Sequence, residues 1–328
     1  MPHNLAKTVA FGGIMAAGLG SAQAASAGPA VAASPDRGEV IVPCSTPALD
    51  HALASTSDGQ IVVLADRCTY GLGGALPDPT KDLTIIGRGA TFRPTANNSD
   101  FTILTVDAPV NLSITGVNFV NGGGYGADDG GAIYNEGGAD IRIQDSTFLD
   151  NSGSRFGGAI WNQDGTLTVI ADTFTDNTNS YGWGGAIMNQ DNATVSASTF
   201  SGNYAMVGLY SDAHGGAIYN AGNLWVYGTS FTGNMSDFAG GAVYNVGRAL
   251  LARDSFRDNS ADGGGAIYND FDAVLAVTDS AITGNTASYY GGGGIADNGG
   301  TVTVTSDLIT GNQPDNCDPV GTIPGCSG

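Results

Sequence analysis

Apolar residues fall on alternate positions in a series of short segments, each ending in a Phe-x-x-Asn signal. The signal reads Phe148 to Asn151, Phe174 to Asn177, Phe200 to Asn203, Phe231 to Asn234 and Phe256 to Asn259, then Ile282 to Asn285 and Ile309 to Asn312. Five residues before each Phe or Ile stand Ile143, Val169, Val195, Val226, Leu251, Val277 and Val304, and seven before stand Ile141, Leu167, Ala193, Leu224, Ala249, Leu275 and Val302. The position between them is mixed: Arg142, Thr168, Thr194, Trp225, Leu250, Ala276 and Thr303. A period of two with one uniformly apolar face predicts strands buried on one side.

A second signal alternates with the first. GGAIYN at Gly130 to Asn135 returns as GGAIWN from Gly157, GGAIMN from Gly184, GGAIYN from Gly215, GGAVYN from Gly240 and GGAIYN from Gly264, with a worn copy, GGGIAD, from Gly292. The copies lie 24 to 31 residues apart. Repeats of that length, built from short strands and turn residues with no helical pattern, predict a parallel β-helix in which each coil pairs with its neighbours. The same alternation turns Ile133, Ile160, Ile187, Ile218, Val243, Ile267 and Ile295 inward. The paired glycines mark a bend where backbones come close, and the two Asn columns are expected to stack as amide ladders.

These motifs resemble the polymorphic outer membrane protein repeats, GGA(I/V) with FxxN, of bacterial right-handed β-helix proteins with the pectin-lyase-like fold. The resemblance covers roughly Thr84 to Gly328. It implies an all-β chain folded as a right-handed parallel β-helix of about ten coils. It carries over no catalytic residue, because that fold hosts lyases, hydrolases and adhesins alike. The NTD, GHG and RIK signatures of polygalacturonases are missing, with only RIQ at Arg142 to Gln144 and AHG at Ala213 to Gly215. The outer-membrane barrel of the polymorphic proteins has no counterpart in the strands of this sequence.

Residues 1–27 read as a signal peptide, with Lys7, an apolar run from Thr8 to Leu19 and an A-x-A site at Ala22 to Ala24. Residues 28–39 read as a linker and 40–81 as an N-terminal cap and first coil. In that cap a short helix starts at Thr46, which suits an N-cap, with Pro47 at the first helical position. Residues 82–312 form the repeats and 313–328 a C-terminal cap. Cys44, Cys68, Cys317 and Cys326 flank the repeats, and an even count in an exported chain predicts two disulfides. Sequence neighbourhood pairs Cys44 with Cys68 and Cys317 with Cys326, out of three possible connectivities. No stretch after the leader is apolar enough to span a bilayer, so the expected location is secreted and extracellular, as a monomer.

Charge narrows the partners. With 31 Asp and Glu against 11 Lys and Arg, a net charge of −20 disfavours nucleic acid and anionic polymers. Two surfaces are candidate sites. One is the column that follows the inward Ile, namely Tyr134, Trp161, Met188, Tyr219, Tyr244 and Tyr268, read as an outward row of rings able to stack sugars. The other is the edge formed by the loops before each GGA, with Tyr181 and Trp183 as ring donors. Asp128, Arg155, Asp212 and His214 on that edge are the acid, base and cation candidates of an enzyme. Asp128 with Asp129 makes Ca²⁺ the one conceivable cofactor, yet two carboxylates are a small part of its shell, so none is expected. The leading expectation is a non-catalytic protein that binds a polysaccharide or cell-surface component. The alternative is a polysaccharide lyase or glycoside hydrolase.

Overall fold

The computed structural model describes residues 38–95, 100–123, 130–208 and 213–326. The signal peptide and most of the linker lie outside the described residues, as do Asp128, Asp129 and Asp212. Among the described residues three parallel sheets of nineteen, nine and six strands make a β-solenoid of about ten coils. A typical repeat coil contributes a GGA-segment strand such as Ile160–Asn162 to the nine-stranded sheet. It then gives a five-residue strand such as Thr166–Ile170 and a three-residue strand such as Thr173–Thr175 to the long sheet, and a two-residue strand such as Thr178–Asn179 to the short one. Pairing through the repeats keeps like positions opposite one another, Phe174 against Phe148 and Phe200, and Ile160 against Ile133 and Ile187, with register shifts only at Ile86/Ala90 and Ala261/Gly263 among the described pairs.

The alternation read from sequence is the core. Ile143, Val169, Val195, Leu251 and Val277 are fully buried, as are Ile133, Ile160, Ile187, Ile218 and Ile267. Phe148, Phe174, Phe200, Phe231 and Phe256 form one internal stack with ring centres 4.6 to 5.0 Å apart, continued by buried Ile282 and partly buried Ile309. The stack also runs further back than expected, through Phe119, Phe92 and Tyr70.

Both Asn columns are hydrogen-bonded ladders. Asn135 donates through Nδ2 to Asn162 Oδ1 at 2.9 Å, and the line continues through Asn189, Asn220, Asn245 and Asn269 to Asp297. The second runs from Asn151 through Asn177, Asn203, Asn234, Asn259 and Asn285 to Asn312. In that ladder each backbone N–H also donates to the next Asn Oδ1. Buried amides satisfied in this way fix the register, because a one-residue slip would strand them.

The bends explain the glycines and aspartates. At Gly157 φ is +61°, and a Cβ there would lie 2.1 Å from the Ile160 carbonyl oxygen, so no side chain fits. Two residues after the Phe, Asp150, Asp176 and Asp258 have φ of 54°, 53° and 54°. Gly202, Gly233, Gly284 and Gly311 take the same left-handed turn in the other coils. That register is therefore a turn, which accounts for the exchange of Asp and Gly along it.

Both ends are covered. The helix Thr46–Ala54 buries Leu49, Ala52 and Leu53 over the open N-terminal end. Its N-cap is Ser45, not Thr46, and Thr46 Oγ1 instead donates to the Gly71 carbonyl at 3.0 Å, tying the lid to the first coil. At the other end buried Ile323 plugs the last coil. Cys44 is bonded to Cys68 and Cys317 to Cys326, one clamp beside each lid. No helix among the described residues is long and apolar enough to cross a membrane.

Candidate functional site

The column expected to face solvent is covered. Tyr134, Trp161, Met188, Tyr219 and Tyr244 are all buried, and Tyr268 is half-buried. Their rings stack on one another, Tyr134 on Trp161 at 4.3 Å, Tyr219 on Tyr244 at 5.2 Å and Tyr244 on Tyr268 at 5.1 Å. The cover comes from the residue just before each glycine pair. Phe156, Trp183, His214, Ala239 and Gly263 pair in parallel from coil to coil, and the glycine bend folds the side chains of the first four back over the column, while Gly263 adds none and Tyr268 beside it stays half-buried. Phe156 lies 4.7 Å from Trp161, Trp183 lies 5.2 Å from Tyr219, and His214 lies 4.2 Å from Tyr244. The expectation of an exposed row is thus corrected: an outward strand position meets solvent only if no other part of the coil returns over it.

The tips of these rings are matched to the residue that follows the Asn one coil on. The Tyr134 hydroxyl donates to Gln163 Oε1 at 2.6 Å, Trp161 Nε1 to Gln190 Oε1 at 3.1 Å, and the Tyr244 hydroxyl to Asp270 Oδ2 at 2.7 Å. Where the ring is replaced by Met188 the equivalent next position is Ala221, and Tyr219 is followed by Val246. Burial, and then the charge of Asp270, push the Tyr219 hydroxyl up to about 12 and raise that of Tyr244 further. Burial opposes ionisation of Asp270, but bonds from Tyr244, Asn298 and the Phe271 N–H together hold it below the usual carboxylate range.

The enzyme candidates occupy different surroundings. His214 sits in the aromatic wall, 5.1 Å from the Phe238 ring. Arg155 is exposed, with its guanidinium 5.5 Å over Phe156. Trp183 keeps its Nε1 buried with no hydrogen-bond partner among the described residues. No group of three or more His, Cys, Asp or Glu suited to a metal occurs among the described residues. A shallow groove of about 390 Å³ opens on the long sheet, bordered by Asp82, Asn111, Asp140 and Arg142, where Asp82 accepts from the Asn111 N–H at 2.8 Å.

Sequence reasoning passed over one interior feature. Two residues before each Phe or Ile stand Ser146, Asp172, Ser198, Thr229, Asp254, Ser280 and Asp307, a column of short acceptors. They form a third ladder: the Ser146 N–H donates to Asp172 Oδ1 at 2.6 Å, the Asp172 N–H to Ser198 Oγ at 3.1 Å and the Thr229 N–H to Asp254 Oδ1 at 2.8 Å. Burial pushes Asp172 and Asp254 up to about 7, partly offset by the N–H groups they accept.

Compared with known families, residues 145–163, 197–221 and 255–270 match the Chlamydia polymorphic membrane protein repeat. Each match begins near a Phe-x-x-Asn signal and closes on the next GGA segment, so the first two matched units each contain one covering residue of the aromatic wall, Phe156 and His214. No curated protein matches the chain. Repeats of this type on a parallel β-helix fit a surface or adhesin-type protein and an outer-membrane or surface location. The disulfides are consistent with an extracellular one.

Proposed function

We propose that the chain is a secreted surface-interaction protein that binds a neutral or weakly charged glycan without cleaving it. The observation that carries this reading is the division of the aromatic residues. One set is consumed by the core and the covered wall. A second set faces solvent: Trp225 at 44%, Tyr227 at 51%, Tyr181 at 40%, Tyr289 at 82% and Tyr290 at 53% exposure. Exposed rings on a coil whose interior is already complete serve contact, and contiguous exposed apolar surface marks an interaction site. The leader read at residues 1–27 and the two disulfides support export.

The test is a glycan array probed with the mature protein, with release of reducing ends assayed alongside. Retention of neutral glycans without release is the expected result. Release that disappears in Arg155→Ala or His214→Ala would move the chain to the lyase or hydrolase alternative. Absence of retention on every glycan would sink the binding reading.

A further inference from the structure

The outer face of the long sheet carries a surface that the glycan reading does not by itself identify. Strands Asn192–Ser196, Asn223–Tyr227, Arg248–Ala252, Val274–Thr278 and Thr301–Thr305 lie side by side in register. Their outward positions are Asn192, Thr194 and Ser196; Asn223, Trp225 and Tyr227; Arg248, Leu250 and Ala252; Val274, Ala276 and Thr278; Thr301, Thr303 and Thr305. None is a carboxylate, in a chain with 31 Asp and Glu. Trp225 and Tyr227 project from alternate positions of one strand, about 7 Å apart, and Leu250 pairs beside Trp225 on the next coil. Arg253 reaches from the following turn, donating from Nη1 to the Tyr227 hydroxyl at 2.6 Å with its guanidinium 5.5 Å from the ring centre. A cation over a ring face and a hydrogen bond to its tip hold Tyr227 in place before any ligand arrives.

Resting on the glycan reading above, we propose that this face is the binding platform and that its ligand is an extended, uncharged polysaccharide lying along the coil axis. The held ring of Tyr227 and the exposed ring of Trp225, beside rows of small side chains, offer apolar stacking flanked by hydroxyls from Thr194, Ser196, Thr278 and Thr303. Those rows repeat at about 4.8 Å per coil, comparable to one sugar unit of an extended chain. No outward strand position carries a carboxylate; of the two cations, Arg253 is engaged on Tyr227 and Arg248 lies at the far end of its strand, with Asp191 accepting from Asn192 at the edge, so the rings and not charge are expected to select the ligand. Size separates a glycan from a protein partner. The exposed apolar side chains of these strands, Trp225, Tyr227 and Leu250, lie on two neighbouring strands, a patch well under the ~800 Å² per side of a standard protein interface.

Affinity electrophoresis in gels containing hydroxyethyl cellulose, galactomannan or xyloglucan, with polygalacturonate as the anionic control, tests the platform. At least one neutral polymer is expected to retard the protein to the same degree at low and high salt. Trp225→Ala or Tyr227→Ala should weaken retention by about tenfold. Arg253→Ala should weaken it by about threefold, and all three variants should melt like the parent. Val320→Ala, an exposed apolar position in the C-terminal cap outside the ring set, should bind as the parent does. Retention that survives Trp225→Ala but is lost in the double variant Tyr289→Ala with Tyr290→Ala overturns the platform and leaves glycan binding standing, with its site on the loop edge. No retention of the parent by any polymer overturns both readings. Preference for polygalacturonate that salt abolishes overturns the uncharged ligand. Self-association abolished by Trp225→Ala without any glycan retention overturns the platform in favour of contact between copies.

Discussion

Two aromatic stacks run along the coils, one inside and one outside, and they are specified by different rules. The inner rings, Phe119 to Phe256, lie face to face with nothing polar to satisfy, so each coil needs only an apolar group of the right size. Ile282 can therefore follow Phe256 without any compensating change. The outer rings end in a hydroxyl or an indole N–H, and three of those tips are matched one coil on, Gln163 for Tyr134, Gln190 for Trp161 and Asp270 for Tyr244, while Trp183 Nε1 in the cover is buried with no partner among the described residues. A solenoid core tolerates exchange by volume, whereas a covered outer wall ties its polar-tipped rings Tyr134, Trp161 and Tyr244 to a specific position one coil away.

The largest effect separating the two should come from the inner stack. Phe200→Ala removes a fully buried ring between two neighbours and is expected to cost about 3 to 5 kcal/mol in denaturant melts. A loss under about 1 kcal/mol would mean that the wall outside, not this stack, holds the coils together.

Next in size is a contrast in pH response. Asp172 and Asp254, buried beside the inner stack, have folded values raised to about 7 from 3.8. Their contribution to stability is fully present below the unfolded value and is lost as pH rises through about 7. Asp270 in the outer wall is shifted down, so its contribution is present above the unfolded value and lost as pH falls through the folded one. Asp254→Ser installs the residue found at the same register in Ser198 and Ser280. The variant should equal or exceed the parent in urea at pH 7.5 and lose that advantage by about pH 4.5. A difference between the two proteins that does not change with pH would contradict the buried-carboxylate ladder.

A smaller effect sharpens the rule for the outer wall. Tyr244→Phe removes the hydroxyl that donates to Asp270 Oδ2, one of three donors to that carboxylate, and should cost about 1 kcal/mol, whereas Tyr219→Phe, whose next-coil position is Val246, should be close to neutral. Equal costs would show that the tips are not individually matched. The smallest effect is expected for Asp176→Gly, at a left-handed turn where other coils already carry glycine, within about 0.5 kcal/mol of the parent.

Much of this was legible in the sequence because period two and a repeat of nearly constant length fix which side chains point inward. The Phe stack, both Asn ladders and the Asp and Gly turn follow from columns of like residues, and the two disulfides from the cysteines' neighbourhood at either end of the repeats. The early members Tyr70, Phe92 and Phe119 were not read, since their coils precede the first GGA segment and offer no register to count from. The Ser and Asp ladder was visible as a column of short acceptors, but burial was needed to give it meaning. The fate of the outer column was beyond a strand pattern altogether. Alternation says that Trp161 points away from the coil interior, and only the return of Phe156 across the glycine bend decides that it meets a ring instead of water. For the same reason the exposed pair Trp225 and Tyr227 stood out only once the covered rings were set aside.

The amide ladders have a mechanical consequence. Every rung, like every inter-strand bond of the three sheets, points along the coil axis, so a pull on the two ends loads one coil interface at a time and not the molecule at once. Such a body fails by peeling, from whichever end is held least firmly. Here that is the last coil, where Asp297 takes the place of an Asn and Ile309 is only partly covered. The Cys317 to Cys326 bond closes a loop over that coil and delays the first step. A tether built in this way would give length under load in increments of one repeat while the remaining coils keep their surface intact.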